Sequence, residues 1–279
     1  MANNRTYCSL VDFKSNLGIT SSADDVAILK TLEGATIAIE RYCQRKFSVE
    51  YGTKYFTGAN RIWFKPDLLS ASTVKLDEDG NASFESTVTT SDYVLFPLNE
   101  FPKTYMEISD NSNYGTFAYG YKKGVEIVGD WGFGDGESAT PYTEQSKTVA
   151  SMSSTASTQS VVSTNLAVGQ TWLIDSEQIY VKDLTASLAT IVRSVNGTTA
   201  TTHVASSTIY VYDYPSDIKN ACYQRSARLW LTRDKFLASE NIGDYSYVLG
   251  RGDPNKRGTT SGWSAKEQEL LDPYRKANI

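Results

Sequence analysis

The sequence has a single histidine, three cysteines, seven prolines and fewer basic than acidic residues in a chain of 279. Each shortage excludes something. With His203 alone, a multi-histidine metal site is impossible, and any Ser-His-Asp triad must pass through that one residue, set among threonines in "GTTATTHVASS". A structural or surface role is expected for it. Cys8, Cys43 and Cys222 are odd in number and widely spaced, with no CxxC, so neither a disulfide framework nor a zinc site follows. Cys43 and Cys222 fall on predicted helix faces and read as small buried hydrophobes. No stretch approaches the roughly 18 apolar residues of a membrane span, and "MANNRTYCSLVDF" lacks the basic-then-apolar pattern of a signal peptide. The expectation is a soluble protein made in a cytoplasm, with no membrane partner. The 27 Lys and Arg against 32 Asp and Glu leave a formal charge of -5. That argues against a protein that grips DNA by neutralising phosphates, but not against an acidic wall past which DNA slides.

What is present divides into stretches of different period. Ser9 to Asp12 forms a capping pattern, Leu10, Phe13 and Leu17 share a face, and Gly18 can close a short helix. A longer helix is predicted over 22–46, capped by Ser21 or Ser22, with Ile28, Leu32, Ala35, Ile39 and Tyr42 at helical spacing. From about 49 to 140 the pattern alternates, as in "KYFTGANRIWF" and "GVEIVGDWGFG", and predicts an aromatic-rich β-region. "SKTVASMSSTASTQSVVSTN" is more than half Ser and Thr and reads as a linker or an edge strand. Beyond it, "TWLIDSEQIYVKDL", "LATIVRSV", "NGTTATTHVASS" and "TIYVYDY" predict a second set of strands, with Asn196-Gly197 as a hairpin signal. A helix over 215–237 opens on Pro215 and carries Ile218, Ala221, Cys222 and Leu229 on one side. The obvious partner for that stripe is the distant 22–46 helix. Residues 239–262 read as a mobile loop, and a capping box from Ser264 to Glu267 starts a last short helix stopped by Pro273.

Motifs that carry chemistry elsewhere fail on spacing here. "GDWGFGDGE" lacks a third phosphate-loop glycine, because position 137 is Glu, and Pro141 arrives where a helix should begin; a glycine-permitted bend around Trp131 and Phe133 is expected. "DEDGN" at 77–81 resembles a calcium loop, but Ala82 occupies the position that needs Gly, so a hairpin turn is expected. The "RGD" at 251–253 suits any exposed loop. No feature singles out a catalytic carboxylate pair. Arg225, Arg228, Arg233 and Lys235 make one side of the last long helix basic, either as a solvated face or as a surface for a neighbour's carboxylates.

In order along the chain, "DDVAILKTLEGATIAIERYCQRKF", "DYVLFPLNEFP", "GVEIVGDWGFG", "YPSDIKNACYQRSARLWLTR" and "ELLDPYRK" resemble the head-tail connector (adaptor) proteins of tailed bacteriophages. The segment from "SEQIYVKDL" to "TIYVY" is similar to a small β-module inserted in some phage structural proteins. The resemblance implies a non-enzymatic virion protein without catalytic residues, metal or cofactor, made in the bacterial host cytoplasm and located at the head-tail interface. It implies a ring, commonly of twelve copies, under the portal protein, a docking surface for a neck or tail-completion protein, and double-stranded DNA passing through unread. The fold expected is α+β: a helical scaffold from the chain's two ends, a central β-region, and an inserted all-β module projecting outward. The boundaries are 1–141 and 215–279 for the core and 142–214 for the insert. By analogy, residues 239–279 contact the portal or an adjacent subunit, and Arg225, Arg228, Arg233, Trp263, Leu270, Leu271, Tyr274 and Arg275 are the candidate interface residues. Two alternatives stand beside this reading. One is a tail-completion or terminator protein, as a hexameric ring; the other is a carbohydrate-binding or carbohydrate-cleaving tail protein, drawn from the 18 Tyr and 5 Trp.

Overall fold

A computed structural model describes residues 4–161, 166–233, 239–242, 245–248 and 262–276. Helix α1 (Leu10–Leu17) starts as expected, with the Ser9 hydroxyl accepting the Asp12 amide, and ends at Gly18 in the left-handed conformation. Helix α2 (Asp25–Cys43) starts later than the serines imply: Asp24 holds the cap position without a side-chain bond, while Ser21 accepts the Ala23 amide in the turn before it. Six strands follow, β1 (Glu50–Phe56), β2 (Arg61–Leu76), β3 (Ser86–Val88), β4 (Tyr93–Phe96), β5 (Lys103–Ile108) and β6 (Val125–Trp131). They form one antiparallel sheet in the order β1-β6-β2-β5-β4, with β3 against the end of β2. Strand β2 is long because it changes partner: it pairs with β5 up to Leu68 and with β6 from there on. Pro66 has no amide to give a ladder, and the register shifts between Trp63 and Leu68 around it.

The second sheet comprises β7 (Tyr142–Thr148), β8 (Thr158–Ser160), β9 (Thr171–Ile174), β10 (Glu177–Thr185), β11 (Leu188–Val192) and β12 (Thr208–Tyr212), ordered β7-β12-β9-β10-β11-β8. The Ser/Thr-rich segment thus supplies one edge strand, β8, and the end of the other, β7, where polar side chains on the open rim are tolerated best. Asn196-Gly197 does not close a hairpin. It lies in a turn between β11 and β12, which do not pair with each other, and Gly197 (φ 84°) is pressed so close to β1 that a Cβ there would stand 2.1 Å from the Tyr51 carbonyl oxygen.

Helix α3 (Ser216–Leu231) packs on α2, across nearly 190 residues of chain. Ile218, Ala221 and Cys222 join Ile28, Leu32, Ala35 and Ile39 in one core, and the Thr36 hydroxyl meets the Cys222 thiol at 3.6 Å. The expected stripe is corrected at its end: Leu229 is 40% exposed, and Ala227 and Trp230 are buried instead, because α4 (Ala265–Leu271) lies against the last turns of α3 and takes that side as its seat. The capping box of α4, Ser264 with Glu267, is formed in both directions. Within the segment read as a loop, β13 (Ser239–Ile242) pairs with β14 (Tyr245–Val248). The rest of that loop up to residue 261, with the RGD tripeptide, lies outside the described residues, as does Lys235.

Residues 142–214 also pack against the helices. Val168, Tyr180, Val195 and Tyr212 are members of the helical core, alongside Val49, just before β1, and Leu69 of β2. The Leu10 amide donates to the Val168 carbonyl, the Thr6 hydroxyl to the Gly169 carbonyl and the Tyr180 hydroxyl to Glu33. Each sheet also has a core of its own, centred on Trp131 in the first and Trp172 in the second.

Candidate assembly surfaces

The C-terminal candidates are gathered by residues 262–276, which run as a strap over α2 and α3. Arg228 reaches the buried Glu267 carboxylate with Nη2 at 2.8 Å from Oε2, and Arg225 lies over the Trp263 ring at 4.4 Å. Both guanidiniums also donate to the Gly262 carbonyl. Burial and the neighbouring Arg228 charge lower the Arg225 pKa from its ordinary value. Trp263 tilts against Tyr42, and Leu271 is wholly buried beside Cys43. Leu270 packs on the same core, and Tyr274 packs edge-on against Phe47 and Phe133. Arg275 lies over Tyr42, and Arg233 stacks on Trp230 at 3.6 Å. Most of these side chains are therefore engaged within their own chain. Still exposed at the seam are Arg228, Arg233 and Arg275, together with Leu229 and Leu231, the last 60% exposed.

A second surface arises where α2 ends, β1 begins and β2 bends. Here Arg41, Arg45, Lys46, Lys54, Lys65 and Lys276 line a cleft of about 370 Å³ with only three carboxylates, Glu40, Glu50 and Asp67. The bend at Pro66 drives Asp67 inward; its carboxylate is ion-paired to Lys276 at 2.9 Å and to Arg45 at 3.2 Å. Burial lowers the Lys276 pKa against the opposing pull of Asp67. Glu40 is held by Arg5, and Glu50 by Lys46. The bend expected at "GDWGFG" forms the wall: Gly132 (φ 149°) passes so near Ser48 that a Cβ would stand 2.2 Å from its carbonyl oxygen.

The outer face of the first sheet carries a third surface. Trp63 (57% exposed), Tyr105 and Phe96 stand side by side on β2, β5 and β4, with ring centroids 4.7 and 4.9 Å apart, and Arg61 lies over both Trp63 and Tyr105. Lys103, at the base of the 97–102 loop, donates to the Pro97, Leu98 and Glu100 carbonyls.

The groups with chemical potential are occupied by structure. His203 is buried, with Nδ1 2.6 Å from Asp175 and Nε2 2.9 Å from Glu177. Glu177 is fully buried; burial opposes its charge, but Arg193, His203 and the Ser194 and Thr201 amides outweigh that and hold its pKa below the ordinary value. Asp77, Asp79 and Glu85 bring oxygens within 4.8 Å of one another, the spacing of a metal site, yet both Asp77 oxygens accept turn amides, from Gly80 and Ala82. The turn expected at "DEDGN" is formed between the paired strands β2 and β3. All three cysteines are free and buried, and burial pushes the Cys43 thiol up to about 12, far from reactivity at neutral pH. Among the described residues, no helix is long and apolar enough to cross a membrane.

No curated protein matches the chain. The family described as Phage gp6-like head-tail connector protein does match, over residues 7–90, which run from just before α1 to just past β3. The later motifs of the resemblance, from "DYVLFPLNEFP" onward, lie beyond that stretch. Over residues 7–90, then, the resemblance to head-tail connectors is borne out, and the role it supports is that of a structural connector in a phage particle.

Proposed function

We propose that the chain is the repeating unit of a connector ring, commonly of twelve copies, that docks under the portal protein at the head-tail interface and receives a neck or tail-completion protein below. The match over residues 7–90 is the observation that carries this reading. A protomer that repeats about an axis needs different, complementary surfaces on its two flanks, since a heterologous contact closes into a ring only when one side fits the other. This chain offers surfaces of distinct chemistry: a cationic cleft, an aromatic face and the α3-α4 seam. The connector core comprises 1–141 and 215–279, and 142–214 is an added module fixed to the helices. The net charge of -5 suits a channel that double-stranded DNA passes without being held or read. From the seam, Arg228, Arg233 and Arg275, with the exposed last turn of α3, are the part of the C-terminal candidate set offered to portal or neighbour.

The experiment is native mass measurement and particle imaging of the whole chain, alone and with portal protein. A twelve-fold ring in either preparation is expected. A hexamer would assign the chain to tail completion instead. A protein that stays monomeric in both, and binds oligosaccharide, would overturn the connector reading in favour of a carbohydrate-binding tail protein.

A further inference from the structure

The cleft at the start of β2 has more cations than its own carboxylates use. Glu40 is taken by Arg5, Glu50 by Lys46 and Asp67 by Arg45 and Lys276. Arg41, Lys54 and Lys65 are left lining the cleft with no ion pair to a described residue. In a chain of net charge -5, such a local excess of positive charge calls for an anionic partner.

The complementary feature stands at the other end of the same strand. The β2-β3 turn carries Glu78, Asp79 and Glu85, all exposed and none ion-paired to a described residue, held in a fixed turn by Asp77. The nearest aromatic-cation contact at that end, Lys123 over Tyr55 at 4.0 Å, directs the lysine to a ring and not to these carboxylates. Along β2 the run from Lys65 to Leu76 spans roughly 36 Å at about 3.3 Å per residue before the bend and register shifts shorten it, so Lys65 stands well away from the turn, while Lys54, level with Val74 across β6, stands nearer to it. One chain thus presents an acidic tip beyond the end of β2 and a basic socket whose Lys65 stands at the bend of the same strand.

We propose that the acidic β2-β3 turn of one copy seats in the basic cleft of the next, with Glu78, Asp79 and Glu85 facing Arg41, Lys54 and Lys65. This rests on the ring reading above and names the contact that closes it. The contact is heterologous, as a ring demands, and the partly enclosed cleft strengthens charge pairing relative to an open surface. It gives register and direction around the axis, while the apolar surfaces supply the remaining area.

Two measurements test it. In the first, isotopically light and heavy chains are mixed and treated with a zero-length carbodiimide, which condenses a carboxylate with a lysine amine to an amide with loss of water. Mixed-label peptides joining Lys54 or Lys65 to Glu78, Asp79 or Glu85 are expected. In the second, Lys54→Glu with Lys65→Glu is expected to weaken ring formation at least tenfold without moving the monomer's unfolding midpoint. Combining these with Glu78→Lys, Asp79→Lys and Glu85→Lys in the same chain is expected to restore the ring. A wild-type ring that survives either reversal and yields no such cross-link would overturn the socket and leave the connector reading standing. Lysines cross-linked to the portal's carboxylates, or a turn that binds calcium while the cleft stays unlinked, would overturn it equally. Mixed-label cross-links at these residues in a protein that never closes a ring would support the contact and sink the ring.

Discussion

The two sheets have six strands each and put their polar groups to opposite uses. The first buries an aromatic core of Phe64, Tyr93, Phe117 and Trp131, and its buried charges, Asp67, Asp77 and Lys103, all sit where a strand bends or a loop is anchored. Its free charges and rings point outward, at the cleft, the acidic turn and the Trp63 face. The second sheet buries Gln159, Thr171, Glu177, Gln178, His203 and Ser207 around one tryptophan, and its ionised groups satisfy each other inside. The first sheet thus keeps its charges and rings at the surface, while the second keeps much of its polar chemistry inside. The part of the chain that matches the connector family begins before α1 and ends within the first sheet, on the side of the comparison that faces outward.

The largest effects test whether the two sheets form one body. Trp131→Ala and Trp172→Ala each remove a fully packed indole, and each is expected to cost about 4 kcal/mol. Because residues of both sheets enter the helical core, urea unfolding followed by far-ultraviolet circular dichroism and by fluorescence should stay a single transition with one midpoint in either variant. If Trp172→Ala instead releases the second sheet while the rest keeps its wild-type midpoint, the shared core is not what holds the module.

Next comes the buried network. Arg193→Met leaves the Glu177 carboxylate without its guanidinium and is expected to cost about 3 kcal/mol, part of it recovered by adding Glu177→Gln. The sign of the pH effect follows from the depressed pKa. The stabilisation from Glu177 is fully present above its ordinary value of 4.5 and is lost as pH falls through its lower folded value. Acid unfolding should therefore begin at a higher pH in Arg193→Met than in the wild type. An unchanged acid limb would show that the network carries none of the acid sensitivity.

The α2-α3 pairing was readable in advance because two period-3.6 stripes with no local partner can only satisfy each other. The ends of α1, the capping box and the failed motifs were readable because each depends on neighbours a few residues away. The exposure of Leu229 was not, because α4 decides which side of the last turns of α3 is covered. The docking of the second sheet was hidden too, since it rests on single long-range pairs such as Tyr180 with Glu33 and Thr6 with Gly169. The cleft was invisible for a related reason. Its cations come from α2, β1, β2 and the chain's end, and only the bend at Pro66 brings them to one place. A smaller effect measures that docking directly: Tyr180→Phe should cost about 2 kcal/mol, the worth of one hydrogen bond to a carboxylate, read as a shift in urea midpoint.

The smallest effect on stability should carry a large effect on assembly. Trp63 is more than half exposed, on a face whose rings pack on one another and on Arg61, so truncation to Ala removes little that the folded chain needs. A change within about 0.5 kcal/mol is expected from thermal or urea unfolding. A large ring exposed to water, however, is the kind of side chain that dominates binding energy once a partner covers it. Trp63→Ala should therefore leave the monomer's midpoint in place and lower the yield of rings or portal complexes in native mass spectra several-fold. Trp172→Ala should do the reverse, losing stability first and assembly only in proportion. If Trp63→Ala unfolds the chain as readily as Trp172→Ala does, the outward face of the first sheet belongs to the fold, and the division of labour between the sheets fails.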